Sequence, residues 1–168
     1  MTHLLVAQLR FARSEFVRGL AGVTPDEALR RFGPMNSIGW VVGHLAEQEN
    51  RFWLYWAQGR QILPDLAELV GFGKPASTPP LQDMWAAWRT ATAAADPYLD
   101  TLTPALLQTH LERDGKRRPD NVGTMLLRNI YHYWYHLGEA AAIRQMLGHR
   151  DLPQFVGDMD SAAYQPEG

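Results

Sequence analysis

The chain has 168 residues, 46% hydrophobic and 20% charged, with a formal net charge of -2 and no cysteine. Such a length and balance describe one soluble domain with a core of its own, and they leave no basic field to draw in nucleic acid. The missing cysteines exclude disulfides, thiolate metal sites and a cysteine nucleophile, so any metal must be held by nitrogen and oxygen.

Thr2 is placed to cap a first helix, in which Leu5, Val6, Leu9, Phe16 and Leu20 recur at helical spacing with Arg10, Arg13 and Arg18 elsewhere on the surface. Those arginines interrupt the apolar pattern and no small-residue cleavage site follows, so the segment does not read as a signal peptide. No apolar run approaches the roughly 18 residues of a membrane span, and a cytoplasmic location is the expectation. Thr24-Pro25-Asp26-Glu27 is a helix-start signature, with room for only a short helix before Gly33-Pro34.

Asn36 or Ser37 opens a second long helix through about Gln58, whose buried face is marked by Ile38, Val41, Val42, Leu45, Phe52 and Trp56. His44 lies beside that stripe, and Glu47 and Gln48, three and four residues on, either reach the site or, as the favoured reading, belong to a solvated face. Glycines at 59, 71 and 73 and prolines at 64, 75, 79 and 80 make a long connection, with a helical turn at 64–69. A third long helix runs from Leu81 to about Thr101, where Pro97 is expected to kink or interrupt it. Thr103-Pro104 starts a short turn, and Asp114-Gly115 suggests a small hairpin within the polar stretch 108–121. Lys116, Arg117 and Arg118 read as a solvated loop.

The segment from Gly123 to Gly148 is the last long helix, and an irregular tail follows it. Four long helices with a long link between the second and third imply an all-α four-helix bundle; periodicity leaves the connectivity open.

His132 and His136 stand four residues apart, about 40° around the axis and about 6 Å along it, on the stripe of Met125, Ile143 and Leu147. Buried imidazoles need partners for their ring nitrogens, and a divalent ion can satisfy several at once. Backbone carbonyls, tyrosine hydroxyls or water are the alternative. With His44, the third histidine inside a long helix, they make a candidate set that leaves a coordination position open, as catalytic zinc sites do. Glu139 falls on the same stripe as His136. It is placed to orient a ligand imidazole or accept a proton from bound water, or else to pair with Arg128 or Arg144. Tyr131, Tyr133, Trp134 and Tyr135 read as core or subunit interface. His3, His110 and His149 carry no expected role.

At SIGWVVGHLAEQENRFW and GTMLLRNIYHYWYHLGEAAAIRQMLG the sequence resembles the DinB-like family of small damage-inducible proteins, which are distinct from the DNA polymerase sharing that name. The second stretch is similar to the family's H-x-x-x-H-x-G-Q followed by I-R-x-x-L-G, and it departs from that pattern at Glu139, where glutamine is usual. The resemblance implies a four-helix bundle over residues 1–150, with 151–168 as an irregular tail. It implies a divalent metal, zinc or nickel, on His44, His132 and His136. It further implies a metal-dependent enzyme that activates a thiol or water, as a thiol-dependent S-transferase or a hydrolase, acting on a small-molecule substrate with a low-molecular-weight thiol such as bacillithiol or mycothiol. Homodimers are common among such proteins. The alternative is a non-enzymatic stress-response protein that binds metal or a small ligand.

Overall fold

The computed structural model describes residues 2–154 and 156–164, and within them four long helices carry the architecture. The first, α1 (Leu4–Gly19), is capped by His3 and not by Thr2: the His3 Nδ1 accepts the Leu5 N–H at 3.1 Å. Val6, Leu9 and Phe16 are fully buried along one stripe, and the chain leaves the helix through Gly22 in a left-handed conformation. Thr24 and Glu27 form a reciprocal capping box that starts the short α2 (Pro25–Leu29).

Ser37 accepts the Trp40 N–H and opens α3 (Ile38–Glu49), which continues as a π-helical stretch over Asn50–Trp56. Every residue of α3 is buried, so the one-sided stripe expected from the pattern is corrected to a helix enclosed on all sides. Its glycines permit this enclosure. A Cβ on Gly39 would collide with the Pro79 carbonyl oxygen, and one on Gly43 with the Met84 sulfur. The π stretch leaves the Trp53 carbonyl to be taken by the Gln58 side-chain amide at 2.7 Å.

The connection contains α4 (Leu66–Val70) and leads to α5 (Leu81–Leu99). Pro97 does not end α5; it lies in the last turn, where its missing N–H costs the helix a single bond before the chain leaves. Next come α6 (Pro104–Leu107) and a two-stranded antiparallel hairpin, β1 (His110–Arg113) and β2 (Lys116–Asn121). Asp114 and Gly115 turn it with φ of 52° and 71°, the paired left-handed geometry that suits a two-residue hairpin loop. Asn121 accepts the Thr124 N–H and starts α7 (Val122–Met146).

α3 packs chiefly on α5 and α1 on α7, with α3 also meeting α7. One buried polar network touches all four. Arg13 of α1 grips Glu49 of α3 through Nε and Nη2 at 2.8 and 2.7 Å. Tyr133 of α7 donates to the same carboxylate at 2.9 Å and accepts from the Trp88 indole of α5 at 2.7 Å. Arg13 is therefore buried, not on the surface; desolvation opposes its charge, but the Glu49 carboxylate holds its pKa above the ordinary arginine value.

The described part of the tail lies on α1: Arg18 donates to the Gln154 carbonyl, Gly157 N–H to Glu15, and Gln8 to the Ala162 carbonyl in a short 3₁₀ turn (Met159–Ala162). The expected tail also takes in residues 155 and 165–168, which fall outside the described residues. Among the described residues, no helix is long and apolar enough to cross a membrane.

Candidate metal centre

α3 and α7 bring three imidazoles to one point: His44 from the buried middle of α3, and His132 and His136 from successive turns of α7. One nitrogen from each ring lies within 4.8 Å of the others. The ring centroids are 4.9 Å apart for His44 and His132, 5.3 Å for His44 and His136, and 4.5 Å for His132 and His136.

Two of the rings are pinned from behind. The His44 Nδ1 sits 2.8 Å from the Val70 carbonyl oxygen, which can only accept, so the proton is on Nδ1 and the Nε2 lone pair is free. Trp40, one turn earlier, stacks on the same ring at 4.4 Å with 17° between planes. The His136 Nδ1 lies 2.7 Å from Glu139 Oε2, which fixes its tautomer in the same sense. Glu139 thus engages His136, and no ion pair joins it to Arg128 or Arg144 among the described residues.

His132 completes the cluster from a different position. Its Nε2 approaches the His136 Nε2 at 2.9 Å, and its Nδ1 is buried without a hydrogen-bond partner among the described residues. Three imidazole nitrogens around one tetrahedral ion at about 2.1 Å would stand roughly 3.4 Å apart, a value that the observed spread brackets. Two of the rings are also held in the neutral form that can ligate. Burial pushes His44 down to about 4, against the opposing pull of the Val70 carbonyl and helped by His136 and Arg51. Burial likewise pushes His132 down to about 3, reinforced by His136, His44, Arg51 and Arg128. Neutral rings keep their lone pairs at neutral pH. Three converging imidazoles, those of His44 and His136 buried and that of His132 partly so, could therefore hold a divalent metal.

The cluster opens into a cavity of 430 Å³, within the usual range for small-molecule sites. His44 and His132 line it together with Gln48, Arg51 and Arg118. Phe72, Tyr131 and Tyr135 stand at its edge and are largely exposed, whereas Tyr133 belongs to the core. Glu47 and Gln48 are both only 5% exposed, which corrects the solvated face expected of them. Glu47 takes the Arg51 guanidinium at 2.8 Å. Arg118 is likewise not in a solvated loop: it is on β2, over the rings of Phe52 and Trp56 at 5.4 and 5.3 Å. Gln48 and Arg51 follow His44 by four and seven residues, a helical repeat that would have placed them on one face with it. No sequence signal points to Arg118, because only the hairpin carries it to the site.

The remaining histidines have local partners. His110 meets the Arg118 carbonyl at 3.0 Å, and His149 bridges Glu27 and Arg144 at 2.9 and 3.1 Å.

A search of curated proteins finds no match to this chain. A family model described as the DinB superfamily matches residues 8–140, a span that includes all three histidines and Glu139.

Proposed function

The chain belongs to the DinB superfamily, and from that premise we propose that it is a divalent-metal-dependent enzyme whose ion is held by His44, His132 and His136. The observation that carries this reading is the convergence of three imidazoles, two of them held through Nδ1 by Val70 and Glu139. Zinc or nickel suits such a nitrogen donor set. When bound, the ion supplies an open position at which a thiol or water loses its proton near neutral pH.

The protein's own residues do the rest. Val70 and Glu139 hold the rings of His44 and His136 in orientation and tautomer. The Glu139 carboxylate is engaged by the His136 Nδ1 at 2.7 Å, which favours positioning over direct proton transfer for this side chain. The cavity edge of Phe72, Tyr131 and Tyr135 supplies apolar surface for the body of an electrophilic small molecule. The same reading takes residues 1–150 as the working bundle and 151–168 as an appended tail.

The test is turnover of metal-loaded protein, supplied with small thiols and electrophiles in one series and with simple esters and amides in another. Activity above the metal-loaded blank, lost in His136→Ala, is the expected outcome. Stoichiometric metal with no turnover in either series would favour a non-enzymatic metal-binding role instead.

A further inference from the structure

The wall of the cavity next to the histidines is electrically one-sided, and the cause can be followed atom by atom. The Trp53 indole nitrogen can only donate, and it donates to Asn129 Oδ1 at 2.7 Å. That fixes the Asn129 amide, whose Nδ2 then donates to Gln48 Oε1 at 2.7 Å. That bond fixes the orientation of the Gln48 amide, and the end of this side chain without a partner among the described residues is its NH₂ group. The cavity it lines is thereby offered donors.

Three guanidiniums line the same cavity: Arg51, Arg118 and Arg128. Glu47 holds Arg51 at 2.8 Å. Among the described residues Asp120 alone serves the other two, at 3.7 Å from Arg118 and 3.3 Å from Arg128. There, three cations against two carboxylates leave one positive charge uncompensated. Arg118 bears most of the deficit, because among the described residues its Nε is buried with no hydrogen-bond partner and its ion-pair carboxylate, Asp120, lies beyond hydrogen-bond range. Burial, and then repulsion from Arg51, press its pKa below the usual arginine value, as expected where positive charge is in excess.

We propose that Gln48, Arg118 and Arg128, with Arg51 beside them, form a subsite for one carboxylate group of the small molecule whose reacting end lies at the histidine cluster. This inference rests on the metal-enzyme reading for that other end of the ligand. A single carboxylate matches the single uncompensated charge, and it can accept from the guanidinium edges and the Gln48 amide together. The subsite makes the preferred thiol or electrophile an acid, and a neutral molecule of the same shape a poor ligand.

Two titrations test this at low ionic strength, where screening is weakest. In the first, cobalt(II)-loaded protein takes 3-mercaptopropionate or the neutral 3-mercaptopropanol, read by the thiolate-to-cobalt absorption band. The acid should bind about ten-fold tighter or better, the advantage of a charge-assisted contact. Arg118→Gln and Arg128→Gln should each reduce that preference while leaving the alcohol's affinity unchanged. Arg128 has a side chain 58% exposed, so its variant keeps the test alive if Arg118→Gln fails to fold.

The second titration uses metal-free protein with benzoate, benzyl alcohol and phenyl phosphate, followed by ligand-observed NMR. Benzoate should bind in preference to the alcohol and lose that preference in the same variants. Equal binding of acid and alcohol, a preference surviving both substitutions, or tighter binding of phenyl phosphate overturns the carboxylate subsite. Absence of any cobalt or thiolate band overturns the metal reading instead, and the metal-free titration still decides the subsite.

Discussion

Glu49→Leu removes the carboxylate at the centre of the polar network that ties the four helices together. The carboxylate has no exposed surface and receives three hydrogen bonds: Arg13 Nε at 2.8 Å, Arg13 Nη2 at 2.7 Å and the Tyr133 hydroxyl at 2.9 Å. Stranding a buried charge by deleting its partner costs about 3–5 kcal/mol. Arg13 retains Asp96 at 2.7 Å, and that carboxylate is 40% exposed, so the expected loss lies near the lower end, about 3 kcal/mol. For a chain of this size the loss lowers Tm by roughly 6–12 °C. Urea denaturation of metal-free protein, followed by far-UV circular dichroism, measures it without metal binding stabilising the native state. The double variant Arg13→Met/Glu49→Leu removes the stranded charge and should be more stable than Glu49→Leu alone. A loss under about 1 kcal/mol for the single variant, or a double variant as unstable as the two singles summed, would refute the assignment.

Glu139→Gln keeps a side-chain oxygen near the His136 Nδ1 but removes its charge, and metal affinity should fall about 10- to 100-fold with helicity unchanged; unchanged affinity in a competition titration with a chelator would count against the positioning role. The pH dependence of metal-free protein has a defined sign. Burial holds His44 and His132 down at about 4 and about 3 in the folded protein, below the ordinary value of 6.5, so the unfolded chain binds more protons and stability drops as pH falls from about 7 through about 3. His132→Gln should flatten that part of the Tm profile, and an unaltered slope contradicts the burial of a neutral ring. Gly39→Ala sets a methyl group against the rigid Pro79 backbone, whereas Gly43→Ala meets the flexible Met84 side chain. Thermal melts should therefore show the larger loss at Gly39, and equal losses would mean that α3 and the chain entering α5 are less closely apposed.

Local chemistry was readable from the residues themselves. Ser37, Thr24 and Asp114-Gly115 mark the helix starts and the hairpin because caps and tight turns depend on near neighbours. The pairing of His132 with His136 follows from helical spacing alone, and His44 was found as the remaining histidine in a long helix. The environment of α3 was not readable. Glu47 and Gln48 suit a solvated face, yet both are buried, as is Glu49, and the partners of the last two lie as far off as Asn129 and Tyr133. A helical wheel carries no information about such distant partners. Arg118 was missed for the same reason, and the continuation of α5 through Pro97 shows that a proline in a final turn breaks little.

Whether the three imidazoles share one ion is measured most directly by X-ray absorption on untagged, metal-loaded protein. It should show one divalent ion per chain with about three imidazole nitrogens at ~2.0–2.1 Å, and His44→Ala should lose the ion while remaining helical by circular dichroism. Full metal occupancy in His44→Ala, or a wild-type shell with fewer than two imidazoles, would contradict a shared ion.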